Sequence, residues 1–97
     1  MPTDDAVTDA GMPRAATAPT ATLRYWAAAR AATGVESDVV EGCATVGDAV
    51  AEAVRRHPGL APVAAVSSLL LDGRPAGAGS PLPPGAVVEV LPPFAGG

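Results

Sequence analysis

Thr45 to His57 is the single stretch of this chain with a sustained helical period; its other apolar stretches are short. Val46, Ala49, Val50, Ala53 and Val54 recur at i, i+3, i+4, i+7 and i+8, which gathers them into one apolar stripe. Thr45 stands where an N-cap belongs, and Asp48, three residues on, makes a variant of the capping box. Arg55, Arg56 and His57 fill the last turn, where positive charge suits the helix dipole, and Pro58-Gly59 stops the helix. A helix with one apolar stripe must bury it against another layer. Short strands are what this chain offers, so a sheet covered on one face by one main helix is expected.

The strands follow from local patterns. Thr22 to Trp26 alternates, with Leu23 and Tyr25 toward the core and Thr22, Arg24 and Trp26 on the other face. Ala27 to Thr33 is rich in Ala and favours helix, and Gly34 occupies the C′ position. Val35 to Val40 is a second strand that pairs with the first as a wide hairpin. Ser67 to Leu71 is a third, and Asp72-Gly73 is a type I′ turn signal leading into a short Arg74-Pro75-Ala76 segment. Pro83-Pro84-Gly85 is turn chemistry ahead of Ala86-Val87-Val88-Glu89-Val90-Leu91, a β-branched apolar strand.

The first and last strands are the most apolar and should lie side by side, parallel, at the centre of the sheet. This is an α+β, ubiquitin-like β-grasp arrangement, with a mixed sheet of about four to five strands. A ferredoxin-like fold would need a second full helix late in the chain, and Ala76 to Gly85 is too rich in Gly and Pro to supply one.

Ninety-seven residues allow one domain. Met1 to Pro19 is rich in Asp, Thr, Ala, Gly and Pro, with no lasting apolar period and no h-region of a signal peptide. The expected division is a disordered arm over 1–19, a domain over 20–93 and a flexible tail over 94–97. No apolar stretch approaches the roughly 20 residues of a membrane span. The net charge of −4 argues against nucleic acid and anionic lipid as partners. The single Cys43 rules out an internal disulfide, and no metal-ligand spacing is present. A cytoplasmic location is expected. All six basic residues are Arg, so no side-chain amine is available to accept an acyl group. In any acyl transfer this chain is the donor.

Beyond the last strand stand Pro92-Pro93-Phe94-Ala95-Gly96-Gly97. The two prolines end the strand and favour a stiff, extended exit. Gly96-Gly97 has no side chains and can pass through a narrow channel, as a tail must when its terminal carboxylate is the reacting group. The four residues past the prolines span at most roughly 14 Å. Other single residues have plain roles. His57 reads as a solvated helix-end residue, Cys43 as a bystander, Asp72 as a turn former, and Asp4, Asp5 and Asp9 as solvated charge. Trp26 and Leu91 differ, because each shares a face with charged neighbours. Either they form an exposed apolar patch for a partner at the root of the tail, or they cover a second minor core.

Leu23-Arg24-Tyr25-Trp26-Ala27-Ala28-Ala29-Arg30, Ala44-Thr45-Val46-Gly47-Asp48, Leu71-Asp72-Gly73 and the ending Val90 to Gly97 resemble the ubiquitin-like sulfur carriers of the MoaD/ThiS type. The paired prolines are most similar to those of the sulfur-carrier subunit of molybdopterin synthase. The resemblance implies a protein that is not an enzyme alone and binds no cofactor stably. An E1-like adenylating enzyme uses ATP to activate the Gly97 carboxylate. A sulfurtransferase then supplies the sulfur of a thiocarboxylate, and the large synthase subunit receives the tail. Phe94, Ala95 and Gly96 are implied to thread the partner's channel. Trp26, Arg30, Pro75 and Leu91 are implied as docking residues. Carriers for cysteine or thiamine pathways, a protein modifier joined through Gly97, and a ubiquitin-like module that is never activated are the alternatives.

Overall fold

The computed structural model describes residues 18–93. The elements are β1 (Thr20–Tyr25), α1 (Ala27–Thr33), β2 (Ser37–Glu41), α2 (Val46–Arg56), a 3-10 turn (Pro58–Leu60), α3 (Ala61–Val66), β3 (Ser68–Leu71), β4 (Arg74–Ala76) and β5 (Ala86–Leu91). The sheet order is β2-β1-β5-β3-β4. β1 and β5 are parallel neighbours, Ala21 opposite Ala86 through Tyr25 opposite Val90, and the other pairs are antiparallel. The expected mixed sheet with its central parallel pair is present.

Local chemistry explains the element ends. Thr45 Oγ1 accepts from the Asp48 N–H at 3.1 Å, and the Asp48 carboxylate accepts from the Thr45 N–H at 3.2 Å, completing the capping box of α2. The next two free N–H groups of α2 are met by a loop: Val46 donates to the Ser80 carbonyl and Gly47 to the Ala78 carbonyl. Gly34 ends α1 at φ 77°, its N–H on the Arg30 carbonyl. Asp72 and Gly73 both take positive φ, as a type I′ turn requires. Asp72 also staples the hairpin to β5, accepting from the Val87 N–H at 2.9 Å and donating its own N–H to the Val87 carbonyl at 2.8 Å.

The α2 stripe packs on the inner sheet face. Val46, Ala49 and Ala53 are fully buried against Leu23, Tyr25, Val40, Val88 and Val90, and Val50 and Val54 flank them. Each buried Leu or Val contributes about 1.5–3 kcal/mol relative to exposure. Leu60 is fully buried from the 3-10 turn that follows α2.

Some expectations shift. β2 begins at Ser37 and β3 at Ser68. Ser67 instead terminates α3, donating from Oγ to the Val63 carbonyl at 2.7 Å. α3 itself has Pro62 in its first turn, where a missing N–H costs nothing. The arm read over 1–19 lies outside the described residues except for its last two positions. Pro19 is engaged there, its carbonyl accepting from Gly42 at 2.9 Å. The tail over 94–97 also lies outside them.

Candidate functional site

Because β1 and β5 are parallel, their C-terminal ends lie side by side at one edge of the domain. β1 ends there at Tyr25 and is followed by Trp26. β5 ends at Leu91 and is followed by Pro92, half-buried, and Pro93, exposed. The backbone N–H of Trp26 donates to the Val90 carbonyl at 3.2 Å. The tail is therefore launched from a central strand, with Trp26 at its root.

Alternation puts Arg24, Glu89 and Leu91 on the sheet face opposite α2, since Leu23, Tyr25, Val88 and Val90 are buried. Trp26 is 40% exposed, so it does not cover a second core. Its indole Nε1 donates to Glu89 Oε2 at 3.1 Å, and the Arg24 guanidinium lies 5.2 Å from its ring centre. Register carries the open face across the sheet: Arg24 stands opposite Glu89, Glu89 opposite Leu70, and Leu70 opposite Pro75. Pro75 is thus on the same face as Leu91 but on the far edge strand, exposed. Arg30 stands apart on α1, exposed and ion-paired with Glu36 at 2.9 Å. Phe94, Ala95, Gly96 and Gly97 lie outside the described residues.

Leu70 was not singled out from the sequence. The run Leu69-Leu70-Leu71 hides which leucine turns outward, and only the pairing with Glu89 and Pro75 decides it. The weaker signal was alternation counted back from Asp72.

His57 corrects an expectation. It is not a solvated helix-end residue: its side chain is only 20% exposed, with Nε2 2.7 Å from Asp38 Oδ2. The Tyr25 hydroxyl donates to the same oxygen at 2.7 Å, and the two rings meet edge to face. Burial, then the Asp38 hydrogen bond and charge, push the Tyr25 phenol well above its ordinary range. This cluster faces the core side and ties β1, β2 and the end of α2. Cys43 is half-buried, and burial with the nearby Asp48 and Glu52 charges raises its thiol pKa, which keeps it a poor nucleophile.

Among the described residues, no three His, Cys, Asp or Glu side chains gather as a metal site, and no helix is long and apolar enough to cross a membrane. A shallow surface depression lined by Thr20, Cys43 and Leu82, with no enclosed volume, lies at the opposite end of β1 from Trp26. It lacks the enclosed space of a usual small-molecule site. The arrangement places Pro92 and Pro93, at the end of the central strand, beside the exposed Trp26.

The ThiS family model matches residues 23–97. No curated protein matches by sequence. Among solved structures, SAMP1 from Haloferax volcanii is 27% identical with a TM-score of 0.71, over 80% of this chain and 99% of that one. A Pyrococcus furiosus protein provisionally assigned as molybdopterin converting factor, subunit 1, is 26% identical with a TM-score of 0.70, over 78% and 99%. The small archaeal modifier protein 1 of Methanosarcina acetivorans is 19% identical with a TM-score of 0.73, over 82% and 98%, a likeness of fold.

Proposed function

Because this chain belongs to the ThiS family, we propose that it is a sulfur carrier whose Gly97 carboxylate is the reacting group. A carboxylate is a poor electrophile. Its attack on the α-phosphate of ATP, in the active site of an E1-like enzyme, releases pyrophosphate and leaves an acyl-adenylate. The terminal sulfur of a sulfurtransferase persulfide then forms the C–S bond as AMP departs, and a thiol reduces the S–S bond of the resulting acyl disulfide, becoming a disulfide itself. The resulting thiocarboxylate is a soft anion that donates sulfur, on this reading to a pterin precursor bound by the large subunit of molybdopterin synthase. The chain is the sulfur-donating subunit of that transferase and no enzyme alone.

The observation that carries the reading is the position of the tail's root, Pro92-Pro93. It leaves the central strand β5 directly beside the exposed Trp26, across a parallel ladder that holds both. Trp26 and Leu91 form the centre of the docking surface, with Pro75 on its far edge and Leu70 between. Arg30 contacts the activating enzyme from α1, after release from Glu36. Phe94, Ala95 and Gly96 enter the partner's channel. The first test is ATP-pyrophosphate exchange with the cognate activating enzyme, comparing the chain with versions lacking Gly97 or carrying one added residue. One residue moves the carboxylate by roughly 3.3–3.6 Å, and a misplacement of about 1 Å can cost a hundredfold. Exchange should vanish in both. Normal exchange by either altered chain rules out a reacting Gly97 carboxylate.

A second reading, a protein modifier, is favoured by the likeness to SAMP1 from Haloferax volcanii. Mass spectrometry of the chain isolated from its own cells separates the two. A thiocarboxylate at Gly97 supports the carrier. Amide-linked adducts that survive reduction support the modifier.

A further inference from the structure

Trp26 turns both of its N–H donors onto the strand that launches the tail. Its backbone N–H bonds the Val90 carbonyl at 3.2 Å, and its indole N–H bonds the Glu89 carboxylate at 3.1 Å. The Arg24 guanidinium lies 5.2 Å from the ring centre. Arg24 and Glu89 are direct partners across the β1–β5 ladder. The indole is therefore bonded to one member of that pair and faces the other.

Neither residue has another visible task. Both lie on the face away from the core, and among the described residues neither forms an ion pair within 4.0 Å. A large aromatic group on an open sheet face would otherwise sample several rotamers. Freezing it when a partner binds would cost roughly two- to twelvefold in affinity.

We propose that Arg24 and Glu89 are positioning residues that hold the Trp26 indole in one orientation before any partner arrives. The docking anchor and the launch strand then form one rigid unit, and the tail root is presented at a fixed offset from the anchor. The inference rests on the reading of Trp26 as a docking residue.

Trp26 is the sole tryptophan of the chain, so its fluorescence reports this position alone. Time-resolved anisotropy of the free protein should show only the slow tumbling of the domain. Glu89→Ala, and separately Arg24→Ala, should each add a fast local component while far-UV circular dichroism stays the same. Glu89→Gln keeps an accepting oxygen and should restore the slow decay. In pyrophosphate exchange with the cognate activating enzyme, Glu89→Ala should raise KM for the carrier by roughly two- to twelvefold at unchanged kcat. Glu89→Gln should bring KM back.

A fast component already present in the wild type, or slow decay retained in both alanine variants, overturns the proposal. So does a mobile indole with unchanged KM, provided Trp26→Ala itself raises KM. If Trp26→Ala also leaves KM unchanged, the docking reading has failed, and the positioning role for docking falls with it.

Discussion

The hydroxyl of Tyr25 donates to Asp38 Oδ2 at 2.7 Å, joining the buried end of β1 to the edge strand β2. His57 reaches the same oxygen from the end of α2. Asp38→Ala leaves a buried phenol without its acceptor, which costs about 1–3 kcal/mol. Urea denaturation should show that loss, and an unchanged midpoint would mean that the cluster is bystander geometry.

Burial of Tyr25, aided by this contact, also makes stability fall at alkaline pH. The phenol is held above its ordinary value in the folded chain, chiefly by burial, whereas an unfolded chain ionises it at about pH 10. The unfolded state therefore binds fewer protons above that pH, and stability falls as pH rises past it. Tyr25 is the only tyrosine, so absorbance at the phenolate band follows it alone. Ionisation in the folded protein near pH 10 would contradict this.

Gly47 is closed to any side chain. A Cβ there would lie 2.9 Å from the Ala78 carbonyl oxygen and 3.0 Å from the Ala78 Cβ. Ala is the better helix former by about 1 kcal/mol, yet Gly47→Ala must push away the loop that satisfies the start of α2. Overpacking of this kind costs about 1–3 kcal/mol. Thermal unfolding should show a lower Tm; a higher one would mean that the loop yields freely.

Trp26→Ala or Leu91→Arg should weaken binding to the activating enzyme by about 2 kcal/mol or more. Both residues are accessible on the open face, so the fold should survive. Loss of folding in Trp26→Ala, with normal binding by the folded remainder, would place Trp26 in the core instead.

A chain starting at residue 18 should keep the stability of the whole, because the Gly42 N–H still finds the Pro19 carbonyl. Starting at residue 20 removes that acceptor and should cost about 1 kcal/mol. A loss above that scale already at residue 18 would show that the arm packs on the domain.

Where chemistry is local, the sequence was readable. The capping box at Thr45, Gly34 at the end of α1 and the Asp72-Gly73 turn each depend on neighbours within four positions. The central pairing of β1 and β5 was readable as well, because those two strands are the most apolar. What escaped was decided at a distance. His57 resembles many helix-end histidines until Asp38, 19 positions away, supplies its partner. α3 escaped because Ala-Pro-Val-Ala-Ala-Val has no polar residue to mark a face. Leu70 escaped because three consecutive leucines carry no alternation. The indole bond to Glu89 spans 63 positions and has no local signature.

The parallel ladder at the centre of the sheet joins residues 65 positions apart at each of its five pairs. During synthesis, α2 and the β3–β4 hairpin exist as sequence long before β5 does, yet the sheet has no middle until β5 arrives. Closing so distant a pair costs loop entropy before its contacts repay it. A product broken off before residue 86 lacks the tail, and also lacks the strand that puts Leu91 beside Trp26. On the proposed docking role, a partner that reads those two residues together engages only chains whose central strand is already in place.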